Sequence, residues 1–210
     1  MKVIAFNGSP KKEGNTYNAL QMISSELEKN NIEVEMIHVG NKNIKGCTSC
    51  NMCKKNKNEK CVINDEVNDW IQKMKEANGI ILGSPVHFSG IAGTMKSFLD
   101  RAFYVTSVNG MMLRYKVGVS IAVVRRSGGL TAFNGLNHYI TYSEMLMPAS
   151  NYWNVIYGTS PGEVKEDIEG KQIARILGTN MAWLMKVVDE GKKAYGVPEL
   201  ESKEYTNFIR

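Results

Sequence analysis

Apolar runs of strand length alternate with helix-patterned segments along nearly the whole chain. No other feature of the sequence limits the fold as much. Val3–Phe6, Ile32–Val39, Gly79–Ser84, Lys116–Val124 and Asn151–Gly158 read as strands. Between the first two, Asn15–Asn30 sets Leu20, Ile23 and Leu27 on one face at helical spacing. Further helices are expected over Asp65–Ala77, which opens on an acidic cap, over Thr94–Tyr104 and over Leu130–Leu146. The last is expected over Lys165–Lys193, with an interruption near Gly178.

Parallel strands need long crossovers, and helical crossovers cover both faces of the sheet. The nearly unbroken apolar character of Gly79–Ser84 and Lys116–Val124 agrees, because such strands are buried twice. Ile32–Val39 alternates instead, as a strand with one more exposed face does. Right-handed crossovers leave few topologies, and five strands suit the doubly wound α/β order 2-1-3-4-5. The expected organisation is one domain over 1–210, with 44–64 as a cysteine-rich insertion loop and 178–210 as a C-terminal helix and tail. Ligands of such sheets sit beyond the carboxyl ends of the strands. Three loops therefore matter: those after Phe6, Leu82 and Val124.

The first loop, NGSPKKEGNTYNAL, opens a helix. A helix start offers unpaired N–H groups and a partial positive charge, which suit a phosphate. Ser9, Asn15 and Thr16 add side-chain donors, Lys11 and Lys12 add charge, and Gly8 and Gly14 permit close approach. The pattern is neither the Walker loop nor the dinucleotide fingerprint. An ordinary capped turn fits this loop equally well. In the second, Pro85 stiffens the chain and small residues follow, so a planar ring can lie against backbone amides. His87 and Phe88 offer edge or stacking contacts, although His87 taken alone also suits a loop histidine bonded to backbone. In the helix that follows, Lys96, Asp100 and Arg101 read as surface ion pairs.

All four cysteines lie within Cys47–Cys61, spaced C-x2-C-x2-C-x7-C. Three at x2 spacing can wrap one compact cluster, as in bacterial ferredoxins. Structural zinc prefers two separate knuckles. A [4Fe–4S] cluster on Cys47, Cys50, Cys53 and Cys61 fits better than zinc, and four reduced thiols are the other reading.

The net charge of +5 is spread along the chain, and its densest cluster, Lys54–Lys60, reads as a solvated loop. No nucleic-acid stripe is expected. There is no run of eighteen apolar residues and the N-terminal apolar run is too short for a signal peptide, so no membrane association and a cytoplasmic location are expected.

GSPKKEGNT joined to GSPVHFSGIAGTMKSFLDR resembles the NADPH-dependent FMN reductases and iron–sulfur flavoproteins of the flavodoxin-like superfamily. The resemblance implies a flavodoxin-like fold and bound FMN. It puts the FMN phosphate on Ser9, Lys11, Asn15 and Thr16, and the isoalloxazine beside Pro85, Val86, His87, Phe88, Ser89 and Gly90. In the third loop, Gly128 and Gly129 offer amides to the ring, and Arg125 or Arg126 offsets charge on reduced flavin. The iron–sulfur flavoproteins resemble the cysteine loop as well, which implies a cluster relaying single electrons. The implied activity is electron transfer from NAD(P)H through FMN to a small-molecule or protein acceptor, with the subunits assembled as a homodimer or homotetramer. Hydride transfer to flavin needs proximity more than acid–base groups, so no catalytic dyad is expected, and His87 is the candidate proton donor. A flavin and iron–sulfur electron carrier without nicotinamide turnover is the alternative, and a zinc-stabilised interaction module is the rival outside redox chemistry.

Overall fold

A computed structural model describes residues 1–206 and 208. The parallel strands are β1 (Lys2–Asn7), β2 (Glu33–His38), β3 (Gly79–His87), β5 (Val117–Val124) and β6 (Val155–Tyr157). They lie in the order β2-β1-β3-β5-β6, the flavodoxin-like order expected. One element was not foreseen. β4 (Gly90–Ile91) folds back antiparallel on the end of β3, with Val86 opposite Ile91 and His87 opposite Gly90. The small residues after Pro85 therefore make a hairpin.

Burial follows sheet position. All eight residues of the inner strand β5 are buried, whereas edge strand β2 buries fully only Ile37. The helices are α1 (Asn15–Glu28), α2 (Met52–Asn56), α3 (Glu66–Glu76), α4 (Gly93–Val108), α5 (Gly129–Tyr142) and α6 (Ile168–Tyr195). Helices α1 and α6 pack on one face through Leu20, Ile23, Leu177 and Met181. Helices α3, α4 and α5 cover the other, where Phe98 packs tilted against Phe6 and edge-on to Trp70 at centroid distances of 4.6 and 5.4 Å.

The last strand is shorter than expected because Asn151–Trp153 lie outside the ladder. Helix α6 runs unbroken through Gly178. A Cβ there would stand 2.7 Å from the Ile23 carbonyl oxygen, so the glycine marks where α1 and α6 cross, not a break. The expected tail reaches residues 207, 209 and 210, which lie outside the described residues.

Candidate functional site

The turn from β1 to α1 is built by Asn7, which is buried at the strand's end. Its Oδ1 accepts from Ser9 N (3.0 Å) and its Nδ2 donates to the Lys12 carbonyl (3.0 Å). Gly8 N donates to Gly83 O at 2.8 Å, tying the turn to β3. A side chain at Gly8 would strike Met95 and Gly83 O within 2.9 Å. Ser9 is buried, and its Oγ accepts from Lys11 N at 3.2 Å, leaving its own proton to donate. His38 Nε2 lies 2.7 Å from the Ser9 carbonyl oxygen.

Helix α1 starts at Gly14 without a side-chain cap, and its first turn carries no acidic residue. The first intrahelical N–H is that of Asn18, bonded to Gly14 O at 3.1 Å. The N–H groups of Asn15, Thr16 and Tyr17 therefore form the open, positive end of the helix. That end is the fit FMN requires: an anion with several oxygens would complete the donors this turn leaves unused.

Ser9, Lys11, Asn15, Thr16, Pro85, Val86, His87 and Arg125 all line one cleft of about 240 Å³ beyond the carboxyl ends of β1, β3 and β5. Eight of the residues expected at an FMN site thus come together. Gly158, Thr159 and Pro161, which the sequence reading missed, form the fourth wall. Asn15 holds that wall: Nδ2 donates to Ser160 O (2.9 Å) and Oδ1 accepts from Gly162 N (2.7 Å). Its side chain ties the loop to α1, and its backbone N–H lies at the open end of the helix. The run of turn residues GTSPG after the last strand was the signal available for this loop.

Phe88, Ser89 and Gly90 stand at the hairpin tip. Phe88 and Ser89 both take positive φ (47° and 60°), as a two-residue hairpin turn needs, at a cost of roughly 1–2 kcal/mol for each non-glycine residue. The Phe88 ring is wholly exposed. Gly128, at φ 85°, lies under this tip, and a Cβ there would meet Ser89 Cα at 2.7 Å. Gly128 and Gly129 line a neighbouring cleft of about 490 Å³ together with Arg126, Tyr152, Trp153 and Tyr157. The loop after β5 is thus a partition, with Arg125 on the side of the first cleft and Arg126 on the other. Helix α5 begins here with Gly128 as an N-cap that has no side-chain bond.

The cysteine segment packs against α4. All four thiols line one narrow cleft whose walls hold no histidine or carboxylate. Among the described residues no three His, Cys, Asp or Glu side chains converge as a single-metal site. Cys53 is buried, and burial raises its thiol pKa, with Cys61, Cys47 and Cys50 adding to the rise. Exposed Cys50 is shifted down by the Met52 N–H. Burial raises the phenol of Tyr104, with Cys53 next in effect.

Three polar residues fix the segment, and the sequence reading missed their roles. Asn68 accepts from Cys61 N (2.8 Å) and donates to Cys61 O (3.1 Å). Asn109 donates to Cys53 O (3.4 Å) and accepts from Glu59 N (3.1 Å). Arg101 is not the surface ion-pair member expected: it is fully buried and forks onto Asp65 at 2.6 and 2.8 Å, while Lys96 and Asp100 do pair at the surface. Its Nε has no hydrogen-bond partner, which in a buried site costs about 1–3 kcal/mol. An orphaned donor on the wall of a four-thiol cleft fits an anionic all-thiolate cluster.

A protein-family model described as NADPH-dependent FMN reductase matches residues 1–160. An iron–sulfur flavoprotein of Methanocaldococcus jannaschii is 37% identical over 195 residues, covering 90% of this chain and 99% of the relative. Among solved structures, RosB with bound 8-demethyl-8-formylriboflavin-5′-phosphate superposes with a TM-score of 0.70 at 16% identity, over 100% of this chain and 98% of that one. A flavodoxin from the domain Archaea superposes with a TM-score of 0.57 at 18% identity, over 89% and 99%. At those identities the two structures speak for the fold, and the family rests on the sequence matches. The chain belongs to the NADPH-dependent FMN reductase family, with the iron–sulfur flavoproteins as its relatives in sequence.

Proposed function

We propose that the protein is an FMN-dependent oxidoreductase that takes electrons from NAD(P)H and passes them to a small-molecule or protein acceptor. In this reading Cys47, Cys50, Cys53 and Cys61 hold a [4Fe–4S] cluster that relays single electrons. The observation that carries it is the cleft where an uncapped α1 start meets Pro85–His87 and Arg125. FMN, when bound, supplies two-electron acceptance from a nicotinamide and one-electron release.

The chain's own residues bind and orient. Backbone N–H groups of Asn15, Thr16 and Tyr17, with the Ser9 hydroxyl and Lys11, hold the phosphate. Asn15 fixes the Gly158–Pro161 wall that closes the cleft's far side. Pro85 and Val86 present a stiff surface to the ring, and the hairpin tip, seated on Gly128, shields it from water. Arg125 sets positive charge where reduced flavin becomes anionic. His87, exposed at the end of β3, is placed to give a proton to an acceptor in the cleft.

Half-exposed Trp153 and Tyr157, and Trp183 on α6, support assembly as a homodimer or homotetramer. No helix among the described residues is long and apolar enough to cross a membrane. A cytoplasmic setting suits four unpaired thiols. The test is anaerobic titration of the FMN-loaded protein with NADPH and NADH. Bleaching of the flavin bands at stoichiometric nicotinamide, with turnover on adding an acceptor, supports the reading. A flavin that dithionite reduces and nicotinamide leaves oxidised makes the protein an electron carrier.

A further inference from the structure

Arg101 sits in the middle of α4 with its side chain wholly buried. A guanidinium has five N–H donors in a fixed fork. Four have partners: Nη1 donates to Asp65 Oδ2 (2.6 Å) and Lys45 O (3.3 Å), and Nη2 to Asp65 Oδ1 (2.8 Å) and Ile63 O (3.2 Å). Lys45 stands two residues before Cys47, and Ile63 two residues after Cys61. One side chain therefore joins the strand of chain entering the cysteine segment to the one leaving it. The fifth donor, on Nε, is buried and unpartnered, and Arg101 is itself a wall of the cleft lined by all four thiols.

We propose that Arg101 is a positioning residue for the iron–sulfur cluster: it clasps the two ends of the cysteine segment and turns its Nε–H toward a sulfur of the cluster. The inference rests on the reading that the four cysteines hold a cluster. The cationic N–H stabilises the more negative, reduced state, because hydrogen bonds to sulfur and local charge set cluster potentials. A purely structural Arg101 would hold the fold and leave the potential alone. Lysine keeps the charge toward Asp65 and has neither the second fork arm nor the Nε–H.

The experiment compares the wild type and Arg101→Lys, both reconstituted anaerobically with iron and sulfide and loaded with FMN. Iron and labile sulfide, flavin content, and cluster potential by EPR-monitored redox titration are measured. The expected result is equal flavin content, a shift of the cluster potential to more negative values in Arg101→Lys, and cluster loss to a chelator faster by on the order of tenfold. A second measurement needs no variant: wild type grown on 15N-arginine should show nitrogen coupling to the reduced cluster in pulsed EPR. An unchanged potential with unchanged chelator resistance, or no such coupling, overturns the role of Arg101 while the cluster stands. A wild type that takes up no iron overturns the cluster reading and this inference with it, and leaves the FMN reading untouched.

Discussion

Asn15 and Ser160 are joined by a 2.9 Å hydrogen bond across 145 residues of sequence, from the first turn of α1 to the loop after β6. The same side chain accepts from Gly162 N, so one amide determines where the last wall of the cleft proposed for FMN stands. Asn15→Ala removes both bonds. At about 1 kcal/mol net each, the FMN dissociation constant rises roughly tenfold or more. Asn15→Asp keeps the acceptor for Gly162 and sets a carboxylate beside the phosphate site, and it should weaken FMN further than alanine does. Flavin fluorescence quenching gives both values.

The crossing of α1 and α6 depends on Gly178, where a Cβ would come 2.7 Å from Ile23 O and 2.8 Å from Glu26 Cβ. Gly178→Ala forces the helices apart and should cost about 1–3 kcal/mol in chemical unfolding. Gly191, on the same helix with open space around it, is the control. There alanine should stabilise by roughly 0.5–1 kcal/mol.

Asn68 holds the exit of the cysteine segment through both backbone groups of Cys61. Asn68→Ala should lower iron content after reconstitution while FMN stoichiometry stays at one per chain. The two sites use different loops, and an equal loss of both would show that they are one cooperative unit. Paired flavin and iron assays decide.

Lys116 is held by the carbonyls of Lys75 (2.8 Å) and Ala77 (2.5 Å), and burial lowers its pKa to about 8, with Lys192 contributing. Between that value and the ordinary 10.5 the unfolded chain binds the proton and the folded chain does not. Stability from this group therefore rises with pH across the window and is lost as pH falls through about 8. The unfolding free energy of wild type minus that of Lys116→Met should climb by about 2–3 kcal/mol from pH 8 to 10.5. A flat difference curve contradicts the assignment.

Much of this was legible in the residues because burial writes a pattern. The unbroken apolar run of β5 and the alternation of β2 marked an inner strand and an edge of the sheet. That the turn after β1 and Pro85–His87 would meet at one cleft was legible because both follow the carboxyl ends of adjacent parallel strands. The hairpin at Phe88–Ser89 was not, since neither residue favours positive φ and its support, the β3–β4 pairing and its seat on Gly128, leaves no local trace. Gly178 looked like a break because a glycine within a helix says nothing about what passes in front of it. Arg101 was the largest miss. Its spacing from Lys96 and Asp100 matches a surface face, and its burial depends on Asp65 and two carbonyls that the sequence does not place nearby. The Asn15 tie has the same origin, a long-range bond with no local trace.

The central claim is that the open start of α1 grips the terminal phosphate of a flavin, and comparing FMN with riboflavin tests it most directly. Calorimetric titration of flavin-free protein should give FMN binding at micromolar concentration or tighter, and riboflavin weaker by on the order of 100-fold. Equal affinity for the two, or binding of neither, would contradict the account.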